Sequence, residues 1–136
     1  MTRAMALSCC LFAAATPARA AEASEAAALQ AAEAWLKLID AGQYGPSWDE
    51  ASASFRKAVS RATWEKKAAA AREPLGKVLE RKVSSQELTH ELPGAPDGTY
   101  VVLIFDTRFE HKERGHETVI MTLDDGRFRA ASYFIR

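Results

Sequence analysis

Apolar residues recur every three or four positions in the first part of the chain, which is the spacing of one face of an α-helix. The first such series consists of Ala28, Ala32, Trp35, Leu36 and Ile39. It predicts a helix that runs to about Asp40, with Gly42 as its stop signal. The Ala-rich segment 21–30 is predicted to be a flexible lead-in to this helix.

Two further helices are predicted from capping signals. Ser47 and Glu50 have the spacing of a capping box, in which the serine accepts from a backbone N–H and the glutamate reaches back. The second helix is therefore expected to begin at Ser47. Its apolar stripe is formed by Tyr44, Trp48, Ala51, Phe55 and Val59. Ser60 is expected to cap a third helix, which Pro74 and Gly76 end.

After Gly76 the apolar pattern changes to the alternation of β-strands. Four strands are predicted, at residues 77–92, 99–109, 118–123 and 127–135. The first is weakly apolar and reads as an edge strand, and Asp125-Gly126 is a good two-residue hairpin turn. Glu110–Gly115 is expected to be a charged loop. The fold class is α+β, with three N-terminal helices packed on a curved, four-stranded antiparallel meander.

The hairpin turn predicts the register of the last two strands. It pairs Leu123 with Phe128, Met121 with Ala130, Val119 with Ser132, and Glu117 with Phe134. Because side chains alternate along a strand, these eight residues share one face, which is mostly apolar and is therefore taken as the core face. The exception that needs an explanation is Glu117.

The strand 99–109 can be attached to this hairpin in two registers. One register turns Val101, Leu103, Phe105, Thr107 and Phe109 towards the core, and the other turns Asp106 and Arg108 inwards beside Glu117. Burying unsatisfied charge is costly, so the first register is favoured. Glu117 is then expected on the core side at the loop end of its strand, between Phe109 and Phe134.

Two interpretations of Glu117 remain open. It is either a rim residue whose carboxylate accepts from a backbone N–H or a basic side chain, or a carboxylate with a raised pKa at the mouth of a pocket. On the second interpretation Glu117, Phe109 and Phe134 would form a ligand-binding site.

The opposite face of the predicted sheet is too apolar for a fully solvated surface. It collects Tyr100, Val102, Ile104, Ile120, Ala131, Tyr133 and Ile135. Exposed apolar patches usually mark interfaces. We therefore expect this outer face to form a homodimer or to dock another protein.

Candidate chemistries are few, and no catalytic residue, metal site or cofactor is assigned. The carboxylates and histidines at positions 110, 111, 113, 116 and 117 lack the spacing of strong zinc sites and read as a solvated loop. Acid–base catalysis could draw on Glu117, Asp106, Tyr100 and Tyr133. Nucleophile elbows and phosphate-binding loops are missing from the sequence. A non-catalytic binding module is therefore preferred, with an acid–base enzyme as the alternative.

The N-terminal residues predict export. A basic start, a short apolar run and the small residues around Ala20 have the order of a signal peptide, with cleavage expected between Ala20 and Ala21. The apolar run is shorter than the ~20 residues that span a membrane. Cys9 and Cys10 lie inside this segment, so residues 21–136 contain no cysteine. Lipidation at Cys9 is the alternative.

The charges exclude one class of partner. The whole chain has 18 basic and 18 acidic residues, which are interspersed along it. Loss of Arg3 and Arg19 with the signal peptide would leave a slightly acidic protein. A basic patch for nucleic acid is therefore not expected, nor is a membrane span once the signal peptide is removed. The protein is expected to be secreted or periplasmic, with residues 31–136 as a single domain.

Four runs of sequence carry a resemblance to a known family. They are AWLKLIDAGQYGPSWDEASASFRKAVS (34–60), REPLGKVLERKV (72–83), LPGAPDGTYVVLIFDTRF (92–109) and RAASYFIR (129–136). Together they resemble the bacterial family catalogued as domain of unknown function 4019. This resemblance implies a secreted bacterial protein of unassigned function, and it brings no catalytic residues to this chain.

The order of the elements also resembles, more loosely, the nuclear-transport-factor-2-like (cystatin-like) superfamily. In that superfamily a helical layer and a strongly curved sheet form a cone with a pocket. The resemblance implies this architecture only, because a fold does not fix a function.

Overall fold

The structure, a computed structural model, describes residues 14–136. Four helices precede four strands, and a short 3-10 turn at Glu73–Leu75 lies between them. The helices are α1 (Pro17–Asp40), α2 (Tyr44–Glu50), α3 (Ala53–Ala58) and α4 (Arg61–Arg72). The strands are β1 (Val78–Thr89), β2 (Tyr100–Phe109), β3 (Lys112–Asp124) and β4 (Arg127–Ile135). The α+β class is confirmed, with one helix more than predicted.

Helix α1 is longer at its N-terminus than the sequence pattern suggested. Residues 21–30 are helical rather than a separate lead-in, and Ala28 within them is fully buried against the core. The expected cleavage position, between Ala20 and Ala21, lies in the first turns of this helix. The basic start and both cysteines fall within residues 1–13, outside the described residues. The C-terminus follows prediction, since α1 ends at Asp40 and Gly42 has a positive φ of 72°.

The predicted capping box at Ser47 is wrong. Ser47 lies inside α2, where its hydroxyl donates to the carbonyl oxygen of Tyr44 and accepts from the indole N–H of Trp64. The predicted second helix is instead two short helices, and Ser52 caps the second by accepting from the backbone N–H of Phe55. A buried tryptophan N–H needs an acceptor. The Ser47 hydroxyl accepts from Trp64 and therefore does not cap a helix. Ser60 caps α4 as predicted.

The sheet is an antiparallel meander in the order β1-β2-β3-β4, so β1 is an edge strand as predicted. The hairpin turn between β3 and β4 is also confirmed, because Asp125 and Gly126 both have positive φ. Strand β3 begins at Lys112, so most of the predicted loop 110–115 is strand. This extension moves Glu117 away from a strand end and into the middle of β3.

The register of β2 is confirmed. Its core face is formed by Val101, Leu103, Phe105, Thr107 and Phe109, all buried, while Asp106 and Arg108 are exposed on the other face. The register of β3 and β4 is confirmed only near the turn, where Leu123 pairs with Phe128 and Met121 with Ala130.

A β-bulge at Ala131 shifts the rest of β4 by one residue. Beyond it Tyr133 pairs with Val119 and Ile135 with Glu117, whereas Phe134 pairs with Thr118. A one-residue shift reverses the faces of a strand. Tyr133 therefore faces the core, contrary to prediction, and the Phe134 side chain is 39% exposed.

The core lies between the sheet and the helices and is rich in aromatic rings. Trp35 of α1 packs edge-on against Tyr133 at 5.5 Å between ring centroids, and Trp64 of α4 lies 6.1 Å from Trp35. Phe55 of α3 meets Trp64 edge-on at 4.8 Å. This aromatic chain links three helices to β4.

Candidate functional site

Glu117 is completely buried, and the groups around it satisfy its carboxylate. Arg81 donates to both oxygens, with its Nε 2.8 Å from Oε1 and its terminal nitrogen 3.2 Å from Oε2. The Thr107 hydroxyl donates to Oε1 at 2.6 Å, and the Tyr133 hydroxyl donates to Oε2. One guanidinium and two hydroxyls thus supply four hydrogen bonds, as a buried carboxylate requires.

The same arginine continues the network to the helices. Arg81 donates to both oxygens of Asp40, the last residue of α1, at 2.7 and 2.9 Å. Asp40 also accepts from Arg72 of α4 at 3.0 Å. The Arg72 guanidinium is almost fully buried and lies 4.9 Å above the Phe109 ring, and its Nε has no hydrogen-bond partner. Alternating charges therefore run Arg72–Asp40–Arg81–Glu117, from α4 through α1 and β1 to β3.

The proton affinities of this network follow from burial and charge. Burial alone would raise the pKa of Asp40, but the hydrogen bonds and charges of Arg81 and Arg72 hold it below the usual 3.8. Burial raises the pKa of Tyr133 well above its ordinary value, and the adjacent Glu117 carboxylate raises it further. Burial disfavours the Arg81 cation, yet its bonds to Asp40 and Glu117 raise its pKa overall. The network thus holds Asp40 and Arg81 ionised and keeps the Tyr133 phenol neutral.

These contacts change the interpretation of the predicted ligand site. Glu117 lies opposite Phe105 rather than at a rim, and the expected basic partner is Arg81. Phe109 is buried on the core side as predicted, but it packs beneath Arg72. Phe134 lies on the other side of β4 because of the bulge. The three residues do not enclose a common pocket.

Sequence reasoning missed Arg81 as the basic partner of Glu117, and it missed Asp40 and Arg72 as the residues that continue the network from Arg81. Two of them carried a signal in their spacing. Asp40 follows the buried Leu36 by four positions, and Arg72 follows the buried Ala68 by four, so both continue the apolar stripe of their helix. A charged residue on such a stripe indicates a buried ion pair. Arg81 gave no comparable signal, because two bulges interrupt the alternation of β1.

Three of the seven residues predicted for the outer face of the sheet form an apolar patch there. Val102, Ile104 and Ile120 lie there and are half-buried. Tyr100 is buried because its hydroxyl reaches back to the carbonyl oxygen of Pro96 in the preceding turn. Tyr133 and Ile135 face the core, so their assignment to the outer face is wrong. Phe134, which pairs with Thr118, is partly exposed on the edge strand β4 and also lines a cleft against α4.

The described part of the chain has at least three surface clefts. The hairpin cleft, of about 490 Å³, lies between α1 and the β3–β4 turn and is lined by Leu38, Glu50, Arg127, Phe128 and Arg129 among others. The α4–β4 cleft, of about 460 Å³, is lined by Lys67, Ala68, Ala71, Leu75, Lys112 and Ile135 among others. The charged groove, of about 350 Å³, lies on the outer face and includes Asp106, Arg108, Arg114 and His116.

The charged groove contains a contact between a histidine and a carboxylate, two side chains that can serve in acid–base catalysis. His116 Nδ1 lies 2.8 Å from a carboxylate oxygen of Asp106, and both side chains are more than half exposed. Neither a serine nor a cysteine is among the described residues that line the groove. Within residues 14–136, no three His, Asp or Glu side chains form a group able to hold a metal ion. In the same part of the chain, none of the helices has the length and hydropathy of a membrane span.

The comparison with known families agrees with the resemblance in the sequence. Residues 31–133 match the family described as protein of unknown function (DUF4019). The chain belongs to this family. The match begins within α1 and ends in β4, so it includes all four residues of the charged network. No curated protein matches the chain.

Proposed function

We propose that this member of the DUF4019 family is a non-catalytic binding module. The observation that carries the proposal is the state of Glu117. Its carboxylate is buried and engaged by Arg81, Thr107 and Tyr133. A general acid or base must reach a substrate proton, and this carboxylate reaches only protein donors. The hairpin cleft and the α4–β4 cleft are lined mainly by apolar and basic side chains, which suit binding.

The alternative is an acid–base enzyme, and its candidate residues have other roles. The hydroxyls of Tyr100 and Tyr133 each donate to a protein acceptor. Asp106 pairs with His116 in open solvent, where no low-dielectric pocket strengthens electrostatic catalysis. Binding is therefore the better-supported function.

The location and the wider relationship of the domain are part of the proposal. The order of basic, apolar and small residues before Ala21 supports export by a signal peptide, which would make the protein secreted or periplasmic. The resemblance of its runs of sequence supports a bacterial origin. The order of helices and antiparallel strands supports a distant relation to the nuclear-transport-factor-2-like superfamily.

Native mass spectrometry of the protein purified from the periplasm tests the binding function. We expect a mass above that of the polypeptide, which returns to the polypeptide mass after denaturation. A preparation from the same host that carries an unrelated exported domain controls for non-specific adducts. Hydrolysis or isomerisation of a substrate by the wild type, abolished by Glu117→Gln, would contradict the proposal.

We further propose that two copies of the domain associate through the outer face of the sheet. The apolar patch formed by Val102, Ile104 and Ile120 supports this arrangement, because these residues lie on the face of the sheet opposite the helix-packed core. Beside the patch lie side chains of both signs, among them Lys82, Asp106 and Arg108. A two-fold interface brings one patch against itself, and a patch with both signs can pair with its own copy.

Light scattering after size exclusion at micromolar concentration tests the dimer. We expect twice the polypeptide mass for the wild type and a monomer for Ile104→Lys with Ile120→Lys, since two buried charges would oppose association. Leu79→Lys is the matched control, because Leu79 is an exposed apolar residue outside the patch. A wild type that is monomeric throughout this range would refute the interface.

A further inference from the structure

We infer that the α4–β4 cleft binds an amphipathic anion, a molecule with an apolar body and a single carboxylate-like head. This inference rests on the proposed binding function and names its ligand class. It is carried by the chemistry of the two walls of the cleft, one formed by α4 and the other by the ends of β3 and β4.

The body of the cleft is apolar because of small residues on α4. Ala68 and Ala71 line it with short side chains, where larger residues would fill the space between α4 and Ile135 of β4. Leu75 lines it from the 3-10 turn. The volume of about 460 Å³ lies within the ~300–1,000 Å³ typical of small-molecule sites. The body therefore suits a hydrocarbon chain or ring.

The charges at the cleft have one sign. Lys67 on α4 and Lys112 at the start of β3 stand on the two walls, Arg136 follows β4, and the lining includes no acidic side chain. Among residues 14–136, neither lysine lies within 4.0 Å of a carboxylate oxygen in an ion pair. Three basic side chains beside an apolar body, two of them lysines without an ion-pair partner, are complementary to an anionic head on an apolar ligand.

The hairpin cleft is of similar size but fits an anion less well. Its Arg129 donates to the carbonyl oxygen of Glu50 at 3.3 Å and lies 4.0 Å from the carboxylate of the same residue. Part of the basic charge there is already compensated. The hairpin cleft thus provides the matched control, with Arg127 as its exposed basic residue.

Calorimetric titration of the full-length mature protein with monomeric dodecanoate tests the inference. We expect saturable binding, weakened about tenfold or more in Lys67→Gln with Lys112→Gln, because charge-assisted hydrogen bonds to the head are lost. Ala71→Leu should weaken binding to a similar extent by filling the body of the cleft, and Ala71 is exposed, so the fold should tolerate it. Arg127→Gln should change the affinity less than about twofold, within the small effect of a distant surface charge.

Two further ligands separate the possible sources of affinity. Dodecanol, which has the same chain without the charge, should bind at least about tenfold more weakly than dodecanoate, a loss of about 1.4 kcal/mol. Vesicles of phosphatidylcholine and phosphatidylglycerol should not retain the protein, since the cleft encloses single molecules. Equal binding of dodecanol, retention on vesicles only, or an effect of Arg127→Gln equal to that of the lysine variants would each overturn the inference.

The outcome is distinguishable from failure of the proposed function. A protein that does not bind dodecanoate but carries another co-purified ligand in native mass spectrometry would keep its binding function and lose this ligand class. A protein that binds neither would contradict both.

Discussion

At the scale of single residues, the main feature is a carboxylate enclosed by donors from three strands. Arg81 comes from β1, Thr107 from β2, and Tyr133 from β4, while Glu117 itself lies on β3. Removing one partner of a buried ion pair leaves the other charge without compensation, which costs far more than the pair itself contributes. Glu117 therefore has a structural role, because it links its own strand, β3, to β1, β2 and β4.

A double-mutant cycle between Arg81 and Glu117 measures this coupling. We expect Glu117→Gln to lower the free energy of unfolding by about 3–5 kcal/mol. The double variant with Arg81→Met should be less destabilised than the sum of the single variants, by about 0.5–3 kcal/mol. Urea unfolding followed by tryptophan fluorescence gives these values. Lys82→Met is the control, because the Lys82–Glu80 pair is exposed, and additive effects of Arg81 and Glu117 would contradict the coupling.

Tyr133 offers a second test at the same scale. Tyr133→Phe keeps the ring beside Trp35 but removes the hydroxyl donor to Glu117, and we expect a loss of about 1–3 kcal/mol. Because the folded protein raises the pKa of Tyr133, the neutral phenol contributes stability below the unfolded pKa, and this stability is lost as the pH rises towards the folded one. The wild type should therefore weaken above about pH 10 in denaturant titrations, more steeply than Tyr133→Phe. If the unfolding free energies of the two proteins fell equally steeply with pH in this alkaline range, the result would contradict this role.

At the scale of elements, the sequence predicted which segments are helices and strands but missed where their regularity breaks. Alternation in β2 determined its core face correctly, because a slipped register would have buried Asp106 and Arg108. The bulge at Ala131 could not be predicted in this way, since Tyr133 and Phe134 are both large and aromatic and either one suits a core. Contact between the Tyr133 hydroxyl and Glu117 favours the bulged arrangement, and that contact depends on tertiary structure.

The need for a glycine at position 115 of β3 also arises from a neighbouring element. A Cβ at this position would lie 2.8 Å from Cε2 of Phe109, a ring held between the sheet and Arg72. We expect Gly115→Ala to destabilise the protein by about 1–3 kcal/mol, the cost of overpacking a core, despite the better strand propensity of alanine. Thermal unfolding followed by circular dichroism measures it. Gly94→Ala, in an open turn with a positive φ, controls for backbone strain alone, and a larger loss there would contradict the packing explanation.

At the scale of the whole molecule, the charged network joins both layers of the fold. Asp40 and Arg72 end the two longest helices, and Arg81 and Glu117 belong to the sheet. The sequence predicted the layers and the odd carboxylate, because both are visible as patterns along the chain. Its hydrogen-bond donors lie 10 to 36 positions away along the chain and on three other strands, so only the folded arrangement identifies them.

The pH dependence of stability should report on this charged network between the helices and the sheet. Because the folded protein lowers the pKa of Asp40, its carboxylate contributes stability above the usual value, and that contribution is lost as the pH falls through the folded pKa. We expect the difference in unfolding free energy between wild type and Asp40→Asn to shrink between about pH 5 and pH 2. Urea titrations across this range measure it. Asp97→Asn, at an exposed turn, is the control, and a constant difference for Asp40→Asn would exclude the linkage.

The protection of the sheet edges has a consequence for how copies of this protein can assemble. At β4, the backbone N–H of Ser52 donates to the carbonyl oxygen of Ala130, and at β1 the Glu25 carboxylate accepts from the backbone N–H of Leu88. Two bulges further distort β1. An open edge strand allows further strands to add without limit, as in fibrils. A sheet face that forms a two-fold interface is fully covered once a single partner has bound. Under the proposed two-fold pairing, crowding this protein to high concentration should therefore yield closed pairs rather than growing polymers.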